Sequence, residues 1–326
     1  MKKTILTLLI AFVAIVAAMG QQIAVVSGNG ATTIYQTLDD AVAGAEDGST
    51  VYLPGGGFPI KDETKIDKKL TIMGVSHRGD TDNVDGATII AGNLSFVGKS
   101  SGSAVIGVYI SGNINVGNET DPIRNLTIRN CNINAILVNN DQSTGMIVNQ
   151  NYLRNLSSFG NANPKITNNI AHSFCGINGG QIKNNIIVSY STISKKNSVI
   201  FADNSTITNN VILAPHWPGQ LTLVHFGSEC IISNNMVRYE WGENCIVANE
   251  NDWNNVFKKD KGVNIYSEYT FINDYEKYQD KVGIYAGTGF DDSALPPVPH
   301  IIAKSIPEQT DAEGKLNIKI RVKASE

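Results

Sequence analysis

The residue types best suited to catalysis lie between positions 216 and 243. They are three carboxylates, a guanidinium and an imidazole, namely Glu229, Glu240, Glu243, Arg238 and His216. Two carboxyl groups about 6.5–9.5 Å apart can hydrolyse a glycosidic bond with inversion, one acting as acid and the other as base. A glutamate pair is therefore one hypothesis, with Arg238 or His216 as an accompanying basic group. No single residue stands out as catalytic.

Aromatic side chains recur over the same part of the chain. The candidate ligand-binding residues are Tyr190, Trp217, Tyr239 and Trp241. An aromatic ring presents a large apolar face that can stack on a sugar ring, so several rings along one edge would form a platform for polysaccharide. The alternative is that these side chains cover loop backbone and close the edge of the core.

One acidic stretch resembles a metal-binding motif. It places Asp80, Asp82 and Asp85 before Gly86, as in a calcium loop. The spacing is one residue too long and no glutamate closes the loop. A solvated turn is the favoured interpretation, and calcium at the three aspartates is the alternative. The histidines are too dispersed for a metal site, so no other cofactor is expected.

The cysteines are Cys131, Cys175, Cys230 and Cys245, and their separation does not fit the paired spacing of a zinc site. If the protein is exported, as the N-terminus predicts below, its cysteines can form disulfides. A bridge between Cys230 and Cys245 is therefore one alternative for these two residues. The interpretation that we favour is that they are single buried thiols, which behave as small hydrophobic residues.

The N-terminus and the composition predict an exported protein. Lys2 and Lys3 precede an apolar run over 4–19, which is the pattern of a signal peptide at 1–20. A membrane anchor is disfavoured because the run is short for a span. We expect the mature chain in the periplasm, at the cell surface or outside the cell, without a transmembrane segment. Charged residues make up 17% and the net charge is −4, with no basic run, so nucleic acid is not an expected partner.

A repeated pair of asparagines indicates the elements that must position these residues. Each pair stands between aliphatic residues, as in Ile-Thr-Asn-Asn-Ile at 166–170. The first asparagines of the four clear copies are Asn168, Asn184, Asn209 and Asn234, and weaker copies lie near 130, 149 and 254. A motif that returns at intervals of 16 to 25 residues predicts a solenoid, in which each unit packs on its neighbours.

Each copy is typical of a strand, a tight corner and a second strand. Asparagine tolerates the left-handed backbone that a sharp corner needs. Equivalent corners in successive turns stack about 4.8 Å apart. The side chains of Asn168, Asn184, Asn209 and Asn234 are therefore expected to hydrogen-bond along the stack as a structural ladder.

The N-terminal part adds a short helix and further strands. Thr37 is a predicted N-cap, and strands are predicted at 50–55 and 69–74. The apolar face of the helix consists of Leu38, Ala41, Val42 and Ala45. With the corners that follow, this order resembles the right-handed parallel β-helix proteins of the pectin lyase-like superfamily, over roughly 23–260.

The resemblance implies an all-β fold, a right-handed single-stranded parallel β-helix with a short N-terminal capping helix and a small C-terminal β tail. The predicted segments are a signal peptide at 1–20, the capped β-helix at 21–260, a C-terminal cap region at 261–294, and a Pro-rich linker with the β tail at 295–326. The tail strands are predicted at 301–303 and 316–322, the second by its alternating apolar residues.

In enzymes of that superfamily, catalysis lies on one flat sheet and on the loops beside it. Counting from each corner places the aromatic and charged candidates in such loops. The motifs of its lyases and polygalacturonases are missing, and 198–203 matches only the apolar part of its methylesterase motif. We therefore expect non-catalytic recognition of a polysaccharide or a cell-surface glycan. The alternatives are a carbohydrate-active enzyme (a polysaccharide lyase or a glycoside hydrolase) and a structural or adhesive surface protein whose tail docks a partner.

Overall fold

A computed structural model describes most of the chain. The described residues are 22–79, 86–188, 200–213, 224–226, 229–237, 243–247, 256–257, 270–291, 295, 300–305, 307, 309, 313–315 and 317–323. They form an all-β protein whose main part is a parallel β-solenoid of about 7 turns. The fold class predicted from the asparagine repeat is therefore confirmed. No helix in this described part is long and apolar enough to cross a membrane.

The strands are short and numerous. In chain order they are β1 (Ile23–Val26), β2 (Thr32–Tyr35), β3 (Thr50–Tyr52), β4 (Gly56–Ile66), β5 (Thr71–Met73), β6 (Thr88–Phe96), β7 (Ala104–Ile106), β8 (Tyr109–Val116), β9 (Thr127–Arg129), β10 (Asn132–Val138), β11 (Ile147–Asn149), β12 (Tyr152–Ala162), β13 (Lys165–Thr167), β14 (Ile170–Asn178), β15 (Gln181–Lys183), β16 (Ile186–Val188), β17 (Ile200–Asp203), β18 (Thr206–Thr208), β19 (Val211–Leu213), β20 (Val224–Phe226), β21 (Ile231–Ser233), β22 (Met236–Val237), β23 (Ile246–Val247), β24 (His300–Ser305) and β25 (Lys319–Lys323).

Two sheets make up the solenoid. The short-strand sheet has the order β2-β1-β3-β5-β7-β9-β11-β13-β15-β18-β21. The long-strand sheet runs from β4 through β6, β8, β10, β12 and β14 to β23, with β17 and β20 paired beside it. Neighbouring strands are parallel from β3 onward, because each turn of chain adds one strand to each sheet.

Aliphatic side chains stacked in register form the core. The middle residue of each short strand points inward, and the stack is Val51, Ile72, Val105, Ile128, Val148, Ile166, Ile182 and Ile207, all with no solvent exposure. Full burial of such a side chain stabilises the fold by about 1.5–3 kcal/mol. The residues on either side of each middle residue point outward, which explains the alternation in the sequence.

A helix closes the N-terminal end, as predicted. Helix α1 (Leu38–Gly44) begins after Thr37, whose hydroxyl accepts a hydrogen bond from the main-chain N of Asp40 at 3.1 Å. Leu38, Ala41 and Val42 are buried against the first strands. The cap covers apolar side chains of the first turn that a preceding turn would otherwise bury.

The first residue of each asparagine pair bends the chain. Asn168, Asn184, Asn209 and Asn234 have φ angles of 54°, 56°, 58° and 56°, in the left-handed region. One weaker copy is shifted from the prediction, since its left-handed residue is Gln150 rather than Asn149.

The hydrogen-bonded ladder, however, runs through the second residue of each pair and not through the first. It links Asn151 to Asn169, Asn169 to Asn185, Asn185 to Asn210 and Asn210 to Asn235, each by an N···O distance of 3.0 Å. The assignment of the ladder to Asn168, Asn184, Asn209 and Asn234 is corrected accordingly. The left-handed residue directs its side chain out of the corner, so the next residue turns inward, where a buried amide must be satisfied by adjacent turns.

Two cysteines take the ladder position in the turns at either end of this stack. Cys131 donates its main-chain N–H to Asn151 Oδ1, and Cys245 lies beside Asn235 in the register of β22 and β23. All four cysteines are described and none is in a disulfide, so Cys230 and Cys245 are not bridged. Burial raises the pKa of the Cys131 thiol to about 12, against the lowering effect of hydrogen bonds to the main chain.

The C-terminal segment packs on the outside of the long-strand sheet. It includes a 3-10 helix at Asn273–Tyr278 and the stacked rings of Phe257 and Phe271, whose centroids are 5.3 Å apart. A second apolar cluster joins it to the solenoid and contains Ile186, Val188, Val211, Leu213, Met236, Phe257, Phe271, Val282 and Ile284. Strands β16 and β19 are consequently buried on both faces.

Residues 281–291, which contribute Val282 and Ile284 to this cluster, form an irregular segment that we call the strap. The strap crosses the corners, and Asn168 donates its side-chain amide to the carbonyls of Ile284 and Ala286 at 2.8 and 2.9 Å.

The C-terminal tail forms a separate two-stranded sheet. Strands β24 and β25 are antiparallel, which confirms the two predicted tail strands. Ile318, Ile320 and Val322 alternate along this part and are each 52–55% exposed. The division of the chain into the four predicted segments stays a prediction.

Candidate functional site

Most of the site residues expected from the sequence lie outside the described residues. These are Tyr190, Trp217, Tyr239, Trp241, His216, Arg238, Glu240 and the calcium candidates Asp80, Asp82 and Asp85. Glu243 and Glu229 are described and exposed. Glu243 pairs with Ser233 at the last corner of the short-strand sheet. The glutamate pair and the aromatic platform thus stay predictions.

Within the described residues, a polar groove crosses the first turns of the long-strand sheet. Strand pairing places Lys65 beside Ser95 and Ser95 beside Asn115, on β4, β6 and β8. Together with Glu63 these side chains line a groove of about 350 Å³, which we call the sheet groove. Asn118 and Asn139 line its far side.

A hydrogen-bond network orients the polar groups in the sheet groove. Glu63 Oε1 accepts from Ser95 Oγ and from Asn115 Nδ2, the latter at 3.0 Å. Asn115 Nδ2 also lies 3.1 Å from Ser95 Oγ. Three strands therefore hold one carboxylate, one hydroxyl and one amide in a common arrangement. A site whose polar groups are already fixed loses less conformational freedom when a ligand binds.

Hydrogen bonds also fix the loop at 117–121, on the far side of the groove. Asn118 Oδ1 accepts from the main-chain N of Thr120 and of Asp121, each at 2.9 Å. Gly117 has a φ of 74°, and a Cβ there would lie 2.8 Å from the carbonyl oxygen of Asp121. Glycine is needed at this position because any side chain would push the backbone at 117 away from the backbone at 121.

A second row of polar side chains follows the outer bend of the same sheet. Asn134 Nδ2 donates to Asn113 Oδ1 at 2.9 Å, and the main-chain N of Asn113 bonds Asn93 Oδ1 at 2.8 Å. Further along, Ser173 Oγ donates to Asn155 Oδ1 at 2.8 Å. Amides and hydroxyls offer both donors and acceptors, so this face is chemically suited to a ligand rich in hydroxyl groups.

Two ionisable groups stand near the end of that row. Arg154 on β12 is exposed, and His172 on β14 is half-buried. Burial lowers the pKa of His172, and the nearby Arg154 guanidinium lowers it further. Phe174, two residues further along the same strand, is fully buried in the core. Among the described residues, no three His, Cys, Asp or Glu side chains are grouped as metal ligands.

The sequence contained a signal for the sheet groove that the asparagine pairs concealed. The pattern glycine, asparagine, apolar, polar, apolar occurs as Gly-Asn-Leu-Ser-Phe at 92–96 and as Gly-Asn-Ile-Asn-Val at 112–116. Its polar fourth position supplies Ser95 and Asn115. Glu63 could not be found this way, because its turn has no copy of the pattern.

No protein-family model, no curated protein and no solved structure matches this chain.

Proposed function

We propose that this protein is an exported β-solenoid that binds a polysaccharide or cell-surface glycan without cleaving it, and that it is a divergent member of the pectin lyase-like superfamily. The observation that carries the proposal is the sheet groove, in which Glu63, Ser95 and Asn115 are held by one another on three adjacent strands. Sugar hydroxyls both donate and accept hydrogen bonds, and this network presents groups of both kinds.

The charges of the groove favour binding over hydrolysis. Glycoside hydrolysis uses two carboxyl groups on opposite sides of the scissile bond. Of the residues that line the sheet groove, only Glu63 carries a carboxylate. Lys65 adds a cation that can donate to ring or hydroxyl oxygens. The groove is therefore equipped for recognition, and the row from Asn93 to Ser173 extends the polar surface along the coil axis.

The test is a panel of polysaccharides and oligosaccharides applied to the purified mature chain. Binding is read by array and by titration calorimetry, and cleavage is read by the release of reducing or unsaturated ends. Binding without product is the expected result. Product release would instead support the enzyme alternative with Glu240 and Glu243, and a chain that binds no glycan would contradict the proposal.

Two matched pairs of variants locate the binding site. Lys65→Ala and Asn115→Ala alter the sheet groove, whereas Lys165→Ala and Gln181→Ala alter exposed side chains of the short-strand sheet. Each groove variant should weaken binding about three- to tenfold, which corresponds to about one hydrogen bond. Equal losses in the groove and control variants would show that the glycan binds elsewhere.

A further inference from the structure

The side chains on the outside of the corners bind main-chain carbonyls. Five consecutive corners each donate an amide N–H to the C-terminal segment. The pairs are Asn209 with Lys281 O at 2.8 Å, Asn184 with Ala286 O at 3.1 Å, Asn168 with Ile284 O and Ala286 O at 2.8 and 2.9 Å, Gln150 with Gly289 O at 2.9 Å, and Asn130 with Leu295 O at 3.2 Å. We call this set of side chains the corner column.

The corner column binds the strap mainly through main-chain carbonyls, and one strap side chain adds a bond, from Thr288 Oγ1 to Asn168 Oδ1 at 3.1 Å. The acceptors are carbonyl oxygens, and the main-chain N of Gly283 returns a bond to the carbonyl of Asn209 at 2.9 Å. Gly287 allows the close approach, because a Cβ there would lie 2.2 Å from Asn184 Nδ2. A column of this kind can accept the carbonyls of an irregular peptide that carries a small residue where its backbone approaches an amide, since every peptide unit carries the same carbonyl.

The column continues for two further turns beyond the strap. Asn234 and Asn244 have left-handed φ angles of 56° and 51°, as the earlier corner residues do. Their turns follow in register, because the main-chain N of Asn234 bonds the carbonyl of Glu243 at 2.9 Å. Both side chains are exposed. Asn234 Nδ2 makes a long contact of 3.4 Å with Ser233 Oγ, and no carbonyl of the described strap reaches either amide.

A groove of about 430 Å³ lies where the strap leaves the column. We call it the corner groove, and its lining includes Asn209, Asn234, Asn244, Ile246 and Val282. Lys183, Asp280 and Lys281 also line it, so its charged groups sum to one positive charge. The groove therefore combines amide donors, an apolar floor and a small excess of positive charge.

We propose that the corner groove is a binding site for a polypeptide segment of another protein, whose main-chain carbonyls accept hydrogen bonds from Asn234 and Asn244. This interaction is separate from glycan binding at the sheet groove. The C-terminal segment is the evidence for the class of ligand, because four corners bind the backbone of the strap and a fifth binds Leu295 O. The positive charge favours a peptide with an acidic side chain near the bound carbonyls.

A second copy of this chain is a poorer candidate as the partner. Stacking of two solenoids end to end would need an open first turn, and here helix α1 and the antiparallel pair β1 and β2 cover that end. An N-acetyl sugar also carries a carbonyl that can accept a hydrogen bond. It offers one acceptor, however, whereas Asn234 and Asn244 offer an amide donor each.

The experiment pans a phage-displayed library of linear peptides against the purified full chain. Enriched peptides are then synthesised, and their affinity is measured by fluorescence anisotropy. The key variant is Asn234→Gly with Asn244→Gly, because glycine keeps the left-handed backbone and removes only the amides. The matched control is Asn204→Gly, an exposed left-handed asparagine with a φ of 47° outside the corner groove.

We expect the enriched peptides to be acidic. Their affinity for the double variant should be at least tenfold lower than for the parent chain, and their affinity for the Asn204→Gly control should equal that for the parent chain. Far-UV circular dichroism and the unfolding midpoint should be the same for the parent and both variants. Peptides that bind the double variant equally well would overturn the proposal, as would a library that yields no binder. Chitin oligosaccharides are tested in parallel, and amide-dependent binding of these alone would also overturn it.

Discussion

Asn185 donates its side-chain amide to Oδ1 of Asn210, one turn further along, over 3.0 Å, and neither side chain is exposed to solvent. Its own Oδ1 accepts from both the main-chain N and the Nδ2 of Asn169, at 2.9 and 3.0 Å. Each amide of the ladder therefore satisfies groups in the turns before and after it. This couples turns of the solenoid that otherwise interact only through stacked aliphatic side chains.

Replacement of Asn185 by alanine should lower the free energy of unfolding by about 3 kcal/mol or more, because several buried donors and acceptors lose their partners at once. Urea unfolding followed by circular dichroism measures the change. Asn139→Ala is the control, since its exposed side chain should change stability by less than about 0.5 kcal/mol. Similar losses in the two variants would contradict the role of the ladder.

Substitutions at Asn168 can distinguish the backbone role of a corner residue from the role of its side chain. Glycine at 168 keeps the left-handed backbone but removes the bonds to Ile284 and Ala286, so stability should fall by about 1–3 kcal/mol. Alanine should cost about 1–2 kcal/mol more, because it also adds backbone strain at a φ of 54°. The same unfolding measurement tests the order, and an alanine variant as stable as the glycine variant would disprove the strain.

Gly287→Ala should loosen the strap more than Gly289→Ala does. Both residues have left-handed φ angles, 70° and 74°, so alanine strains the backbone equally at the two sites. Only at 287 does the new Cβ meet Asn184 Nδ2, at 2.2 Å, while the nearest atom at 289 is 3.9 Å away. Hydrogen exchange of the amides in 281–291 should therefore be faster in Gly287→Ala than in Gly289→Ala. Equal exchange in the two variants would show that strain, and not close packing, holds the strap.

Cys131 should make the folded protein less stable in alkali. Burial raises the pKa of its thiol from 9.0 to about 12, so the folded state holds a proton that the unfolded state releases. Between those two pH values stability should fall by about 1.4 kcal/mol per pH unit from this group. The difference in unfolding free energy between the parent chain and Cys131→Ala should therefore shrink as pH rises from 9. Val148→Ala, which removes part of a buried side chain that does not titrate, is the control that keeps the parent slope.

His172 should titrate below 6.5 in the folded protein, because burial and Arg154 both lower its pKa. Its contribution to stability is present above pH 6.5 and is lost as the pH falls through the folded pKa, and it is small because the ring is half-exposed. Nuclear magnetic resonance titration of the ring should give a higher pKa in Arg154→Gln, still below 6.5 because burial is the larger cause. Arg124→Gln, a change at an exposed arginine elsewhere, should leave it unaltered.

The solenoid, the capping helix and the tail strands were predictable, because each depends on local patterns. Asn168 and its equivalents supply the left-handed corners, and the alternating aliphatic residues supply the strands. The unbroken apolar runs at Ile186–Val188 and Val211–Leu213 also carry the signal of strands that are buried on both faces. These two strands are covered by the cluster around Phe257 and Phe271, which lies more than 40 residues further along the chain.

The sequence alone determined that asparagine pairs mark the corners, since the backbone preference of a residue is a property of that residue and its neighbours. Only the tertiary structure decided that Asn169 and Asn185 form the ladder while Asn168 and Asn184 bind the strap. Adjacent residues at a left-handed bend point to opposite sides, and the partner that each side meets comes from another turn or from the C-terminal segment. The same holds for Glu63, Ser95 and Asn115, which are distant in sequence and meet because parallel pairing places them on neighbouring strands.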